Sequence, residues 1–189
     1  MINKMQRGAT MTAEEGKNGM GAEGQARIKA EKFDAFMKEH EVSGFHKEEY
    51  DDQFRTVVYF SGLQAAGQQQ FVQVVLNDSI YGMIKILVGH KVVNEKNRAA
   101  VLEYINQLNQ RFGAFKYLVT PDGNLELDCS LIANDETFDP EVIMIMLLNV
   151  IRPHLESEVL RLPAVIGGPV GVNVEEENPE GERPIHPVH

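Results

Sequence analysis

The chain has 189 residues, a formal net charge of −10 and a single cysteine. That length predicts one domain, two at most, and the mix of charged and apolar residues is that of a globular protein. The acidic balance disfavours nucleic-acid binding, which rests on neutralising phosphates with Lys and Arg, and it repels anionic membrane surfaces.

One cysteine, Cys129, permits no intrachain disulfide and fits a reducing compartment. The N-terminal stretch has no apolar segment of the kind a secretory signal needs. The longest apolar run, Val142–Leu148, is far shorter than the ~20 residues of a membrane span. The expected location is the cytoplasm.

Residues 1–25 are rich in Gly, Met and polar groups without periodicity, and are expected to be a disordered tail. A first helix is predicted over 26–40, where Ala26, Ala30, Phe33 and Met37 fall on one face. Val42 to Tyr50 is a weak, charged strand candidate suited to a sheet edge. Phe54–Ser61, Phe71–Leu76 and Ile80–Val88 are strong strand candidates, rich in Val, Ile, Phe and Tyr. Asn77-Asp78-Ser79 is a short hairpin loop, although it also matches a glycosylation sequon; Gly62–Gln69 is expected to be a flexible exposed loop. Short links between successive strands make an antiparallel meander.

A second helix is predicted over 95–112, with Asn94 as its N-cap and Gly113 as a left-handed stop. A hairpin follows, turning at Thr120-Pro121-Asp122-Gly123, and its return strand alternates Leu125, Leu127, Cys129 and Leu131 with Glu126, Asp128 and Ser130. Asp139-Pro140 opens a third helix. From Val142 to Ile151 only Asn149 is not apolar, so more than one side of that helix needs a partner: helix 2, or a second subunit in a homodimer. Pro153 predicts a kink or a short fourth helix through Leu162. Residues 163–189, with five of the eight prolines and an acidic cluster, are expected to be a tail. The single folded domain is thus placed at 26–162.

Candidate chemistry is sparse. Cys129 lies on the apolar face of its strand and is expected to be core. The six histidines, His40, His46, His90, His154, His186 and His189, make no metal-ligand spacing on a helix. Glu48-Glu49 and Asp51-Asp52 are expected to be a solvated edge, since paired catalytic carboxylates need a cleft that separates their pKa values. Gly167-Gly168-Pro169 lacks the Lys-Ser/Thr of a phosphate loop. No catalytic, cofactor-binding or metal residue is therefore assigned, and the chain is read as a non-enzyme.

The order helix, β-meander, helix, β-hairpin, helix predicts an α+β fold, an antiparallel sheet with helices on one face. It resembles the type III secretion chaperone-like fold. The runs Ile105-Asn106-Gln107-Leu108-Asn109, Phe115-Lys116-Tyr117 and Asp122-Gly123-Asn124-Leu125-Glu126-Leu127 resemble the YbjN family over about 26–162. That family is described as bacterial sensory transduction regulators. The resemblance implies a regulatory or adaptor module that acts by binding a protein partner; the alternative is a secretion-type chaperone holding an extended peptide. An apolar groove on the sheet would favour peptide binding, and a polar pocket of clustered titratable groups would favour an enzyme.

Overall fold

The structure, a computed structural model, describes residues 24–158 and 160–168. The stretches 1–23 and 169–189, which hold most of both expected tails, lie outside the described residues. The elements run α1 (Gln25–Glu39), β1 (His46–Glu49), β2 (Val57–Ala65), β3 (Gln68–Leu76), β4 (Tyr81–Gly89), α2 (Arg98–Arg111), β5 (Lys116–Val119), β6 (Leu125–Ile132), α3 (Pro140–Ile145), a π-helical stretch (Met146–Ile151), α4 (Arg152–Glu158) and α5 (Leu162–Ile166). The six strands form one sheet in the order β1-β2-β3-β4-β6-β5, every neighbour antiparallel. This is the α+β architecture expected from the element order.

Alternation sorts the sheet into two faces. Val57, Tyr59, Val72, Val74, Leu76, Ile84, Ile86, Leu125, Leu127 and Cys129 point to one side and are buried. There they meet Ala30 and Phe33 of α1, Val101, Ile105 and Leu108 of α2, and Ile143, Leu147, Ile151 and Leu155 of the last long helix. All the described helices lie on this side. Helix α2 carries the chain from β4 to the far edge, and the β5–β6 hairpin folds back so that β6 pairs with β4.

Several boundaries depart from expectation for definite reasons. Gly62–Gln69 is no loop: β2 and β3 run on to Ala65 and Gln68, closed by a two-residue turn at Ala66 and Gly67 with φ of 50° and 79°. Two positive φ values match the hairpin turn whose twist suits its strands, and Gly67 takes one at no steric cost. The polar side chains that suggested a loop sit largely on exposed positions of that hairpin. Gln70 alone is fully buried, and its amide nitrogen faces the Leu87 and Val88 carbonyls at 3.0 and 3.2 Å.

Helix α2 is regular from Arg98, three residues later than predicted, and the predicted cap Asn94 heads the turn before it, its side chain accepting from Lys96 N–H at 3.0 Å and its carbonyl from Arg98 N–H at 2.9 Å. Residues 94–97 form a turn instead, with the Asn97 carboxamide accepting from Asn94 N–H at 2.8 Å and donating to the Val92 and Ile166 carbonyls. Gly113 is not the left-handed stop. The helix ends because Phe112 is extended, and the Lys116 ammonium caps the Asn109 and Phe112 carbonyls at 2.6 and 2.8 Å. Gly123 does take a left-handed φ of 85°, and a Cβ there would collide with the Val93 carbonyl oxygen. At Asp139 the side chain accepts from Glu141 N–H at 3.0 Å, the predicted N-cap before a proline.

The chain passes Pro153 without a break. A proline inside an α-helix clashes with the carbonyl four residues back; here the preceding turn widens into π winding over Met146–Ile151, and α4 continues beyond it. The fold also extends past 162, since α5 buries Leu162 and Ile166 against the core.

Candidate functional site: an open sheet face

The second face of the sheet carries no helix among the described residues. Register places its side chains in rows across the strands. Gly62, Phe71, Leu87, Glu126 and Leu118 form one row; Phe60, Gln73, Lys85, Asp128 and Lys116 the next; Val58, Val75, Met83 and Ser130 a third; Tyr81 and Ile132 a fourth. Val58 and Val75 are buried, Phe60, Met83, Leu87 and Leu118 half-buried, while Phe71, Tyr81 and Ile132 are exposed at 39%, 49% and 77%. The Phe71 ring stacks on Phe60 at 5.7 Å between centroids, and the space a Cβ would need at Gly62, opposite Phe71, is taken by the Gln69 side chain. Large apolar side chains are thus exposed at the two ends of this face, Phe71 at one and Tyr81 with Ile132 at the other.

A charged spot interrupts the apolar rows. Lys85 Nζ stands 3.6 Å from Glu126 and 3.7 Å from Asp128, each side chain about a fifth exposed. One ammonium is shared by two carboxylates, and Asp128 Oδ1 is buried with no hydrogen-bond partner among the described residues. Burial holds the Asp128 carboxyl above its ordinary range, against the pull of Lys85. At the β1 end, His46 and Glu48 share this face 3.4 Å apart, and Tyr50 donates its hydroxyl to Glu48 at 2.6 Å. Asp52, beside the Asp51 of the predicted solvated edge, instead builds the β1–β2 connection, accepting from Phe54 N–H, Thr56 N–H and the Thr56 hydroxyl.

The sheet edges are treated differently from this face. At β5, Asn109 of α2 takes the place of a further strand: its carbonyl oxygen accepts from Tyr117 N–H at 2.7 Å and its amide donates to the Tyr117 carbonyl at 2.9 Å. At β1 the edge is four residues long, with Lys47 paired to Asp34 and Glu49 at 3.0 Å each. Short charged edges and covered edges both resist strand addition.

Titratable groups also gather under the helices. The Tyr117 hydroxyl lies 2.9 Å from His154 Nε2, and the His154 ring packs on Phe112 and Phe115 with centroids at 4.4 and 4.7 Å. Tyr104 donates its hydroxyl to Glu158 Oε2, and Arg161 reaches the other oxygen at 3.4 Å. Burial lowers the His154 pKa and, with Glu158 beside it, pushes Tyr104 up to about 12. Glu158 and His154 are 2% and 7% exposed, so these groups tie α4 to α2 and β5 rather than line a cleft.

Cys129 is 1% exposed, with its thiol pushed up by burial, on the helix-covered face. His40 and His46 are exposed, His90 is half-buried, and His186 and His189 lie outside the described residues. Among the described residues there is no cluster of three or more His, Cys, Asp or Glu able to hold a metal ion, and no helix long and apolar enough to cross a membrane. Sequence reasoning missed Lys29, which is fully buried and donates to the Ser79 and Tyr81 carbonyls at 2.7 and 3.2 Å; burial lowers its pKa to about 8. The Asn77-Asp78-Ser79 sequence is a turn, as expected, and Asp78 also caps α1 by accepting from Ala26 N–H at 2.9 Å.

No protein-family model matches the chain, and no curated protein matches it. Among solved structures it is similar to a chain of the "Crystal Structure of the ExsC-ExsE Complex", at 12% identity and a TM-score of 0.40, over 70% of this chain and 91% of that one.

Proposed function

We propose that this chain is a non-enzymatic regulatory or adaptor module of the YbjN type, and that it works by docking a protein partner on the open sheet face. One observation carries the reading: Phe71, Tyr81 and Ile132 are exposed on a sheet face that no described helix covers, while the edge at Tyr117 is sealed by Asn109. The edges speak against holding an extended peptide by strand addition.

Affinity capture of the tagged full chain from its native cells, followed by mass spectrometry, tests the reading. A partner set held by the wild type and lost by Phe71→Glu and Ile132→Glu supports it. Equal capture by all three chains, with their melting unchanged, overturns it.

The same surface logic applies to the last long helix. Ile143, Leu147 and Ile151 are buried, whereas Val142, Ile145 and Leu148 are 40–43% exposed on the other side. This stripe favours a homodimer joined helix to helix. Light scattering that finds a monomer throughout the micromolar range refutes it.

A further inference from the structure

The open face has a definite size and pattern. Its four long strands, about nine residues each, span about 19 by 30 Å at ordinary strand spacing and rise, or roughly 570 Å². A single helix, about 10 Å wide, fits lengthwise.

Along β3 and β4 the face reads apolar, polar, apolar, apolar: Phe71 with Leu87, then Gln73 with Lys85, then Val75 with Met83, then Tyr81; β6 lays Glu126, Asp128, Ser130 and Ile132 beside those rows in turn. Successive rows are two residues apart on each strand, about 6.8 Å. A helix aligned with the strands presents positions i, i+4 and i+8 at about 6 Å intervals. Among the described residues Lys85 is the one ammonium within 4 Å of the two carboxylates, and it stands beyond hydrogen-bond length of both; Lys116, paired opposite Asp128, turns its ammonium to the Asn109 and Phe112 carbonyls instead. The body around it is acidic, which steers basic partners toward it.

We propose that the occupant of this face is an amphipathic helix of a partner protein, lying along β3, β4 and β6, with an Arg or Lys held between apolar contacts and aimed at Glu126 and Asp128. The partner's helix reads apolar at i, basic at i+4, apolar at i+7 or i+8 and again near i+14. Its first apolar side chain meets Phe71 and Leu87, its cation supplies the charge the two carboxylates lack, and its last side chains cover Tyr81 and Ile132. The inference rests on the open face being the docking surface, and it adds the chemistry of what docks there.

The test is selection of a displayed random library of 16-residue peptides against the full-length chain, with enriched peptides synthesised and titrated. Enriched sequences are expected to carry Arg or Lys between apolar positions at the helical spacing. Affinity is expected to fall about tenfold or more with Glu126→Gln plus Asp128→Asn, and to lose most of its salt dependence. Glu126→Gln alone, at a half-buried position, gives a smaller loss in the same direction and guards against misfolding of the double variant.

Peptides that are lost with Phe71→Ser but are neutral or acidic, or that ignore the carboxylate variants, overturn the cationic-helix proposal and leave the docking surface standing. Peptides indifferent to Phe71→Ser, or no enrichment at all, overturn the docking surface itself. Amide shifts across the open face on dilution, or on deletion of residues 1–23 or 169–189, identify a second copy or the chain's own segment as occupant and overturn the partner helix.

Discussion

Asn109 provides the sharpest test of how the sheet is finished. Its carboxamide makes two hydrogen bonds to one residue of β5, at 2.7 Å to Tyr117 N–H and 2.9 Å to the Tyr117 carbonyl. Each such bond contributes a net ~1 kcal/mol. Asn109→Ala removes both and recovers about 0.5 kcal/mol of helix propensity in α2, for a net loss of roughly 1–2 kcal/mol. At this chain length that lowers the melting temperature by about 2–8 °C. Asn109→Asp is the discriminating variant. Its carboxylate can still accept from Tyr117 N–H, but it sets a negative charge against the Tyr117 carbonyl, where the wild type has a donor. That environment raises the folded-state pKa of the introduced carboxyl above its unfolded value. The deficit against wild type is therefore largest at neutral pH and shrinks as pH falls through the raised value, because the protonated acid donates again. Thermal melts of the three chains between pH 7 and pH 4 check this. An Asn109→Asp deficit that is absent, or that does not change with pH, refutes the reading of Asn109 as a two-way plug on the β5 edge.

Acid and base limits follow from two other buried groups. His154 has its folded-state pKa lowered by burial, so the unfolded chain binds more protons below about pH 6.5 and stability falls as pH drops through that window; denaturant titrations at pH 7.5 and 5 should show a loss that His154→Phe reduces. Lys29, at about 8 in the fold, binds fewer protons than in the unfolded chain between there and about 10.5, so it contributes a rise in stability with pH across that window. Lys29→Met should flatten that rise, and a wild-type slope retained by the variant contradicts the assignment. Cys129→Ala should cost about 1 kcal/mol by removing one buried heavy atom and leave partner capture unchanged; lost capture at unchanged melting contradicts its place in the core.

Periodicity made the fold legible because one face of every element is buried. The Leu125-Leu127-Cys129 alternation, the α2 stripe of Val101, Ile105 and Leu108 and the Asp139-Pro140 helix start all report burial or capping that is local in sequence. The β2–β3 turn was hidden because Gln64, Gln68 and Gln69 resemble loop residues, and only cross-strand pairing makes them strand. The α2 start was hidden because Asn94 and Asn97 are equally good caps by type; Asn94 caps the turn before the helix, while the Asn97 amide reaches the Ile166 carbonyl 69 residues away. Long-range polar bonds of this kind leave no periodic trace. The Asn109 plug is the clearest case, since its residue stood inside a visible motif while its role depended on where β5 lands.

The open face was illegible for a different reason. In β3 and β4 both sets of alternating positions are substantially apolar: Val72, Val74, Ile84 and Ile86 on the core side, Phe71, Val75, Met83 and Leu87 on the other. A two-sided apolar strand ordinarily signals a sheet buried on both faces. Here the described helices all lie on one side, so the second apolar set has no partner within the described fold. The Lys85, Glu126 and Asp128 row breaks that surface where a fully buried layer would leave three charges without solvent, each charge costing several kcal/mol. A face that is apolar enough to gain from being covered, yet charged at its middle, is stable when open and gains most from a cover that brings the missing cation.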